Sequence, residues 1–427
     1  MALQEYERSM NYCIRCSHCK WIPFNKIQTK RFSGNCPAIS RYNFHSYSGG
    51  GRVAVAYSLL LGRSEISEEI LDTIYRCQLC GMCQVACHLI GEICEPLEVA
   101  RELRIKCVED GELLPEHMLM IEGMRKDDNP FGEPKTHRGD WAEGLGLKNI
   151  NTEKADVVFH AGCRFSYDPD LRNVVLGAAV LLKQAGVDVG IAGKEEACCG
   201  GRAFDVGYRG QMENYADDIT ARLKAAGATK LVTPCADCYS TFKQFYPMIR
   251  KETGVEILHT TEYFAQLIRE RKIKPKHRGS LTVTYHDPCH LGRLGETYIP
   301  WEGTWKKVWG QLNIPDPPKQ IRRGTGGVYE PPREILRGIP GIKLVEMERI
   351  REYSWCCGAG GGVREAYEDF SEWTALERIE EAKSVGAEAL VTTCGWCERN
   401  FKDALEKKGD DFKVFDITEL LIGGQHE

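Results

Sequence analysis

Twenty cysteines in 427 residues are the chemistry-bearing feature of this sequence, and their spacing says more than their number. Near the N-terminus Cys13, Cys16 and Cys19 stand at two-residue gaps, and Cys36 follows after sixteen residues; Cys77, Cys80 and Cys83 repeat the triplet, with Cys87 three residues further on. Three thiolates so spaced wrap one corner of a cubane, each taking one iron. Zinc is the competing reading, because Cys-x2-Cys pairs build zinc knuckles, but zinc takes four ligands, commonly as two separated pairs. Two triplets with two outlying single cysteines fit two cubane [4Fe–4S] clusters better. A disulfide framework is disfavoured, since no apolar signal core opens the chain and cysteines in a reducing compartment bind metal or carry redox chemistry.

In two-cluster ferredoxins the fourth ligand of each cluster comes from the other motif. On that pattern one cluster takes Cys13, Cys16, Cys19 and Cys87, and the other Cys77, Cys80, Cys83 and Cys36. The exchange of fourth ligands rests on less than the triplets do. Sixteen residues separate Cys19 from Cys36 where the compact motif has three, and His88 rather than proline follows Cys87. Cys94 is close enough in sequence to compete with Cys87, while Cys107 reads as a plain buried thiol. No Cys-x-x-Cys is followed by histidine, so a c-type haem is excluded, and Gly358-Ala359-Gly360-Gly361-Gly362-Val363 fails the last position of a dinucleotide fingerprint.

The C-terminal two thirds is an internal repeat. His160-Ala161-Gly162-Cys163 matches His286-Asp287-Pro288-Cys289; Ala197-Cys198-Cys199-Gly200 matches Trp355-Cys356-Cys357-Gly358; Cys235-Ala236-Asp237-Cys238 matches Cys394-Gly395-Trp396-Cys397. A unit of this length is a duplicated domain rather than a solenoid repeat. Each copy offers five cysteines, one too many for a cubane or a tetrahedral zinc. Adjacent cysteines point different ways and suit two neighbouring irons, and Gly200 and Gly358 would let the backbone approach closely.

The elements that must position these cysteines can be read coarsely. Residues 65–76 and 95–109 have helical periodicity and flank the second triplet. In each repeat short apolar or β-branched runs (156–160, 230–233, 281–286, 389–393) lead into cysteines, and 171–185 and 212–226 read as helices. The βαβα order predicts parallel sheets with the cysteines at strand C-terminal ends, where open α/β sheets hold ligands. The predicted fold is therefore mixed α+β and α/β, with a helical ferredoxin-like domain over 1–109, a Gly-, Pro- and charge-rich connector over 110–153, and duplicated α/β domains over 154–275 and 276–427.

Composition closes off other classes. The formal net charge is −5 with a pI near 6.2, and no dense basic run suggests a nucleic-acid partner. The longest apolar run, 174–182, is far short of the roughly 20 residues of a membrane helix. The expectation is a cytoplasmic protein with no transmembrane segment of its own, reaching a membrane only through a partner subunit.

The five-cysteine order, Cys, Cys-Cys-Gly, Cys-x-x-Cys, resembles the CCG domain of heterodisulfide reductases. Joined to a two-cluster ferredoxin domain, it is similar to their D-type catalytic subunit, a fusion of C- and B-type subunits; Asn129-Pro130-Phe131-Gly132 and Asp140-Trp141 add to the likeness. The resemblance implies a non-cubane [4Fe–4S] cluster in each repeat, held by Cys163, Cys198, Cys199, Cys235 and Cys238 and by Cys289, Cys356, Cys357, Cys394 and Cys397. It implies a disulfide split between the pair, fed with electrons by a flavoprotein, hydrogenase-type subunit or membrane cytochrome b. His160 and His286, three residues before each leading cysteine, are candidate proton donors to the leaving thiolates, or strand-end residues with local hydrogen bonds. Arg164, Arg202, Arg293 and Arg364 are candidates for holding anionic substrate groups, or compensate cluster charge. Two other assignments stay open: an electron-transfer subunit of a larger flavin-containing or bifurcating complex, such as a benzoyl-CoA reductase complex, and the iron–sulfur subunit of a 2-hydroxyacid dehydrogenase. The complete second motif argues against the latter. One departure is an insert: 66 residues separate Cys289 from Cys356, against 34 in the first repeat, with Trp301, Trp305 and Trp309 in the excess. It would line a pocket, meet a partner, or pack its own aromatics at the surface.

Overall fold

The structure is a computed structural model that describes residues 3–91, 94–276, 279–310 and 312–423. Its two α/β units share one strand plan. In the first, β1 (Lys148–Asn149), β2 (Val157–Phe159), β3 (Val189–Ile191), β4 (Lys230–Thr233) and β5 (Glu256–His259) form a parallel sheet in the order β1-β3-β2-β4-β5. The second holds β6 (Leu281–Tyr285), a hairpin of β7 (Thr304–Val308) and β8 (Leu312–Asp316) outside the sheet, then β9 (Ile342–Leu344), β10 (Ala389–Thr392) and β11 (Lys413–Asp416). Its parallel sheet runs β9-β6-β10-β11, the order of β3-β2-β4-β5. The exits match as well: His259 and Asp416 cap the next helix in capping boxes with Glu262 and Glu419, satisfying its first N–H groups.

Val157, Val158 and Phe159 are all buried, as are Ala389 to Thr392, because both faces of a parallel sheet are covered by helices. The two units bury one continuous apolar core. Between them the Arg172–Gln184 helix meets the C-terminal Ile417–Ile422 helix at Gly177, where a Cβ would stand 2.9 Å from Ile422 Cδ1.

Ahead of the sheets, short helices carry the first cysteines around the Gly49–Leu60 and Pro96–Glu109 helices. The connector contributes a 13-residue helix, Pro115–Asp127, and the edge strand β1, so it is built into the first α/β unit. The insert folds as the β7/β8 antiparallel hairpin, with Trp309 exposed between the strands. It leans on the N-terminal helix, where Arg8 donates to Asn313 O at 2.7 Å and stacks over Trp305 at 3.9 Å. Tyr298, Trp301 and Trp305 with Tyr6, Arg8 and His88 border a cavity of about 570 Å³. The insert thus both packs aromatics and borders a pocket.

Candidate metal centres

Cys36, Cys77, Cys80 and Cys83 line one small pocket, brought together by the Pro37–Tyr42 helix, which Cys36 caps, and by the loop before the Met82–Cys87 helix. Burial pushes the Cys36 thiol up to about 12. The sequence-derived set for the second cubane is therefore gathered as a quartet. At the other set, Cys13, Cys19 and Cys87 lie near one another, and Cys16 is exposed. Cys94 sits among them. Its hydrogen bond pulls Cys13 down to about 6 and lowers Cys87, while Cys94 itself is raised, so Cys94 is the protonated thiol of the three, with its one S–H within reach of either neighbour. Cys107 is fully buried in the apolar core around these helices.

Sequence reasoning missed the run Gly49-Gly50-Gly51. It opens the Gly49–Leu60 helix behind a Ser48 cap, and its N-terminus points at both cysteine sets. Gly50 N–H donates to Cys19 Sγ at 3.3 Å, and a helix N-terminus favours a thiolate. At Gly49 a Cβ would stand 2.6 Å from Cys83 Cβ and 3.1 Å from its Sγ. Alanine is a better helix former than glycine by about 1 kcal/mol, so any loss on Gly49→Ala must come from this clash. The expected result is a normally helical protein that has lost about four irons per chain, read by iron analysis against the unmodified chain.

In both repeats the five cysteines follow one spatial order. Hydrogen-bonded sulfurs run Cys163–Cys198–Cys199–Cys238–Cys235 in the first and Cys289–Cys356–Cys357–Cys397–Cys394 in the second. All ten are buried. The leading cysteine follows β2 or β6, and the Cys-x-x-Cys pair follows β4 or β10, at the strand C-terminal ends where the topology switches direction. Gly162, at φ +79°, lets the turn into Cys163 pass close to the Cys-x-x-Cys pair: a Cβ would lie 3.0 Å from Cys238 Sγ. Gly200 and Gly358 have another task. Their φ values are +83° and +100°, and a Cβ would meet Met212 Cα at 2.9 Å and Ser371 O at 2.3 Å, so they admit neighbouring helices.

His160 and His286 are both buried, and burial lowers both below the ordinary imidazole value, leaving neutral rings at neutral pH. Arg378 Nε–H donates to His286 Nδ1 at 3.2 Å, so the proton of the neutral ring is on Nε2. His286 lies with Cys357 and Cys397 in one group whose ligand atoms are within 4.8 Å of one another. His160 Nδ1 is 3.7 Å from Glu196 Oε2. Among the described residues, Nε2 of His160 is buried without a hydrogen-bond partner and His286 has only the Cys357 sulfur on that side, which fits an additional sulfur-bearing group in each repeat.

Of the arginines singled out, Arg202 is held by Glu365 and Ala359 O, Arg293 by the carbonyls of Cys80, Glu352 and Ser354, and Arg364 by Asn400 and Asp403. Arg164 stacks on Phe131 and Trp396 with only Asp168 at 3.4 Å, and burial followed by repulsion from Arg364 lowers it to about 10. Sequence reasoning missed Arg138, a connector side chain that donates to Cys163 Sγ at 3.4 Å and to Glu196 at 2.9 Å.

The four sets form one succession. Cys19 and Cys83 are near enough to interact electrostatically, Cys356 lies within hydrogen-bonding reach of Cys80, and Cys394 feels the charges of Asp237 and Cys235. The dicluster region thus abuts the second repeat, and the second repeat abuts the first.

A family profile described as a 4Fe-4S dicluster domain matches residues 9–89, and one described as a cysteine-rich domain, CCG, matches 157–243 and 318–402. The chain is 29% identical over 96% of its length, and 93% of the relative's, to the D-type subunit of the dihydromethanophenazine:CoB–CoM heterodisulfide reductase of Methanosarcina mazei. It is 28% identical to a probable iron–sulfur-binding oxidoreductase of Bacillus subtilis and 26% identical to the EtfAB:quinone oxidoreductase of Syntrophomonas wolfei, covering 95% and 82% of this chain but only 53% and 46% of those proteins. No helix among the described residues is long and apolar enough to cross a membrane.

Proposed function

This chain belongs to the CCG-domain iron–sulfur proteins related to the D-type heterodisulfide reductase subunits, and from that premise we propose that it takes electrons from a partner redox protein at its dicluster domain and reduces a disulfide where its two CCG repeats meet. The chain is an iron–sulfur oxidoreductase subunit. The ligands would be Cys13, Cys16, Cys19 and Cys87 and Cys77, Cys80, Cys83 and Cys36 for two cubanes, with each repeat's five cysteines for a non-cubane [4Fe–4S] cluster. Bound there, the clusters supply one-electron storage and transfer.

The observation that carries the reading is that two complete five-cysteine sets lie close enough for Cys394 to feel the charge of Cys235. A disulfide needs two electrons, and two adjacent one-electron sites can supply them. His286, neutral with its proton on Nε2, is placed to hold a hydrogen bond to sulfur, and His160 is its counterpart. Arg164, whose ion-pair partner Asp168 stands 3.4 Å away and whose guanidinium lies against Trp396 of the second repeat, is the residue for an anionic substrate group. A second reading, a conduit that hands electrons to another subunit, is favoured by the burial of all ten CCG cysteines. Low-temperature EPR of the anaerobically purified, oxidised protein separates the two. A paramagnetic signal that appears only with a thiol heterodisulfide, in protein holding about 16 irons per chain, is expected. Full iron without that signal would favour the conduit.

Cys94 gives a further expected result. Thiol donors to ligand sulfurs stabilise the more negative, reduced cluster, so Cys94→Ala should keep the iron content and lower the potential of the cluster at Cys13 and Cys87 by tens of millivolts in an EPR-monitored redox titration.

A further inference from the structure

Residues 12–45 contain Arg15, Lys20, Lys26, Lys30, Arg31 and Arg41 and not one aspartate or glutamate, in a chain whose net charge is −5. Arg31 is paired with Glu377. Among the described residues Arg15, Lys20, Lys26 and Lys30 have no carboxylate within ion-pair distance. The same segment exposes large apolar side chains: Phe24 at 90%, Ile14 at 83%, Phe44 at 68% and Trp21 at 54%. Single exposed apolar residues are ordinary, but several on one short segment mark an interaction surface.

Part of this segment is gathered in space around one groove. Lys20, Trp21, Lys30, Arg31, Asn43 and His45 line one groove of about 520 Å³, with Trp373 and Glu377 of the second repeat on its far side. Burial lowers His45, and the charges of Lys20 and Arg15 lower it further, which sets both cations beside the groove. Ser17 lines the groove too, so the loop that carries Cys16 and Cys19 borders it, and Cys16, next to Ser17 in the chain, is exposed.

We propose that this face is the docking surface of an acidic redox protein, whose carboxylates meet Lys20, Lys26 and Lys30 while its rim covers Trp21 and Phe24. The inference rests on the reading that the dicluster domain exchanges electrons with a partner. Charge complementarity selects the occupant: an unpaired cationic field on an acidic protein steers and orients an anionic partner. The exposed Cys16, on the loop that borders the groove, selects a redox protein, since such a partner gains from approaching a cluster ligand and transient electron-transfer interfaces are small.

The test is binding, read on the anaerobically purified full chain with an acidic [2Fe–2S] ferredoxin as probe. For the unmodified protein the dissociation constant should rise about tenfold or more between low salt and about 0.2 M salt, as exposed charges are screened. Lys26→Glu combined with Lys30→Glu should weaken low-salt binding by about tenfold with iron content unchanged, and Phe24→Ala should weaken binding at high salt as well. Absence of binding, or binding indifferent to salt and to these substitutions, overturns the proposal. So does capture of phosphatidylglycerol-rich vesicles, but not ferredoxin, through the same lysines. Binding needs no disulfide, so a failed disulfide-dependent EPR signal leaves this result standing, and a failed binding curve leaves that signal standing.

Discussion

Arg104→Met is expected to leave little folded, cluster-loaded protein. Arg104 is fully buried, and its guanidinium donates to five backbone carbonyls: Ile74 (3.2 Å), Tyr75 (3.2 Å) and Cys77 (2.7 Å) in the dicluster region, Asp205 (2.9 Å) in the first repeat and Gly361 (2.6 Å) in the second. One side chain therefore ties three regions at the point where their backbones converge. Burial lowers its pKa, yet a guanidinium stays charged at any ordinary pH. Methionine matches the stem and supplies no donor. Each buried carbonyl left unpaired costs about 1–3 kcal/mol, so losing several approaches the whole stability of roughly 5–15 kcal/mol. Arg104→Lys, with three N–H donors on a shorter reach, should fall between. Thermal and denaturant unfolding of anaerobic protein checks both. An unchanged transition in Arg104→Met would mean that water satisfies these carbonyls and that the regions hold together without this tie.

What the sequence could and could not reveal follows from where the information sits. The β-branched runs before Cys163, Cys235, Cys289 and Cys394 were legible because strand and cysteine are contiguous, and duplication doubled the signal. Which strands neighbour which was not read from the sequence; the duplication shows again in the matching orders β3-β2-β4-β5 and β9-β6-β10-β11. Arg104 was not legible because its partners are backbone atoms up to 257 residues away, which carry no residue identity. The Gly49-Gly50-Gly51 run was visible, but its reason, sulfurs on two distant motifs, is purely tertiary. The same limit hid the docking of Cys94 between Cys13 and Cys87: spacing counts residues along a loop and says nothing of where the loop folds back. Gly200 and Gly358 were recognised as needing to be glycine, yet the atoms that demand it belong to the helices carrying Met212 and Ser371.

Cys199→Ala and Cys357→Ala should differ in a way that orders the four sites. Each residue is the middle sulfur of its set, bonded to the preceding cysteine and to the last of the Cys-x-x-Cys pair, so each substitution should cost about four irons per chain and spare the other sets. The closeness of Cys356 to Cys80 makes the second repeat a neighbour of the dicluster sulfurs, and among the described cysteines the approach of Cys235 to Cys394 leads on to the first. With Cys357→Ala, reductant offered through a protein donor should leave the first repeat's EPR signature oxidised, and the disulfide-dependent signal should vanish. With Cys199→Ala the second repeat should still be reduced at the unmodified rate, while disulfide cleavage falls by several orders of magnitude for want of the second electron. Rapid-freeze EPR with a fixed donor reads both. Equal reduction of the first repeat in Cys357→Ala would mean that a second contact, independent of Cys80 and Cys356, joins it to the dicluster domain. The order drawn from the sulfur neighbours would then be wrong.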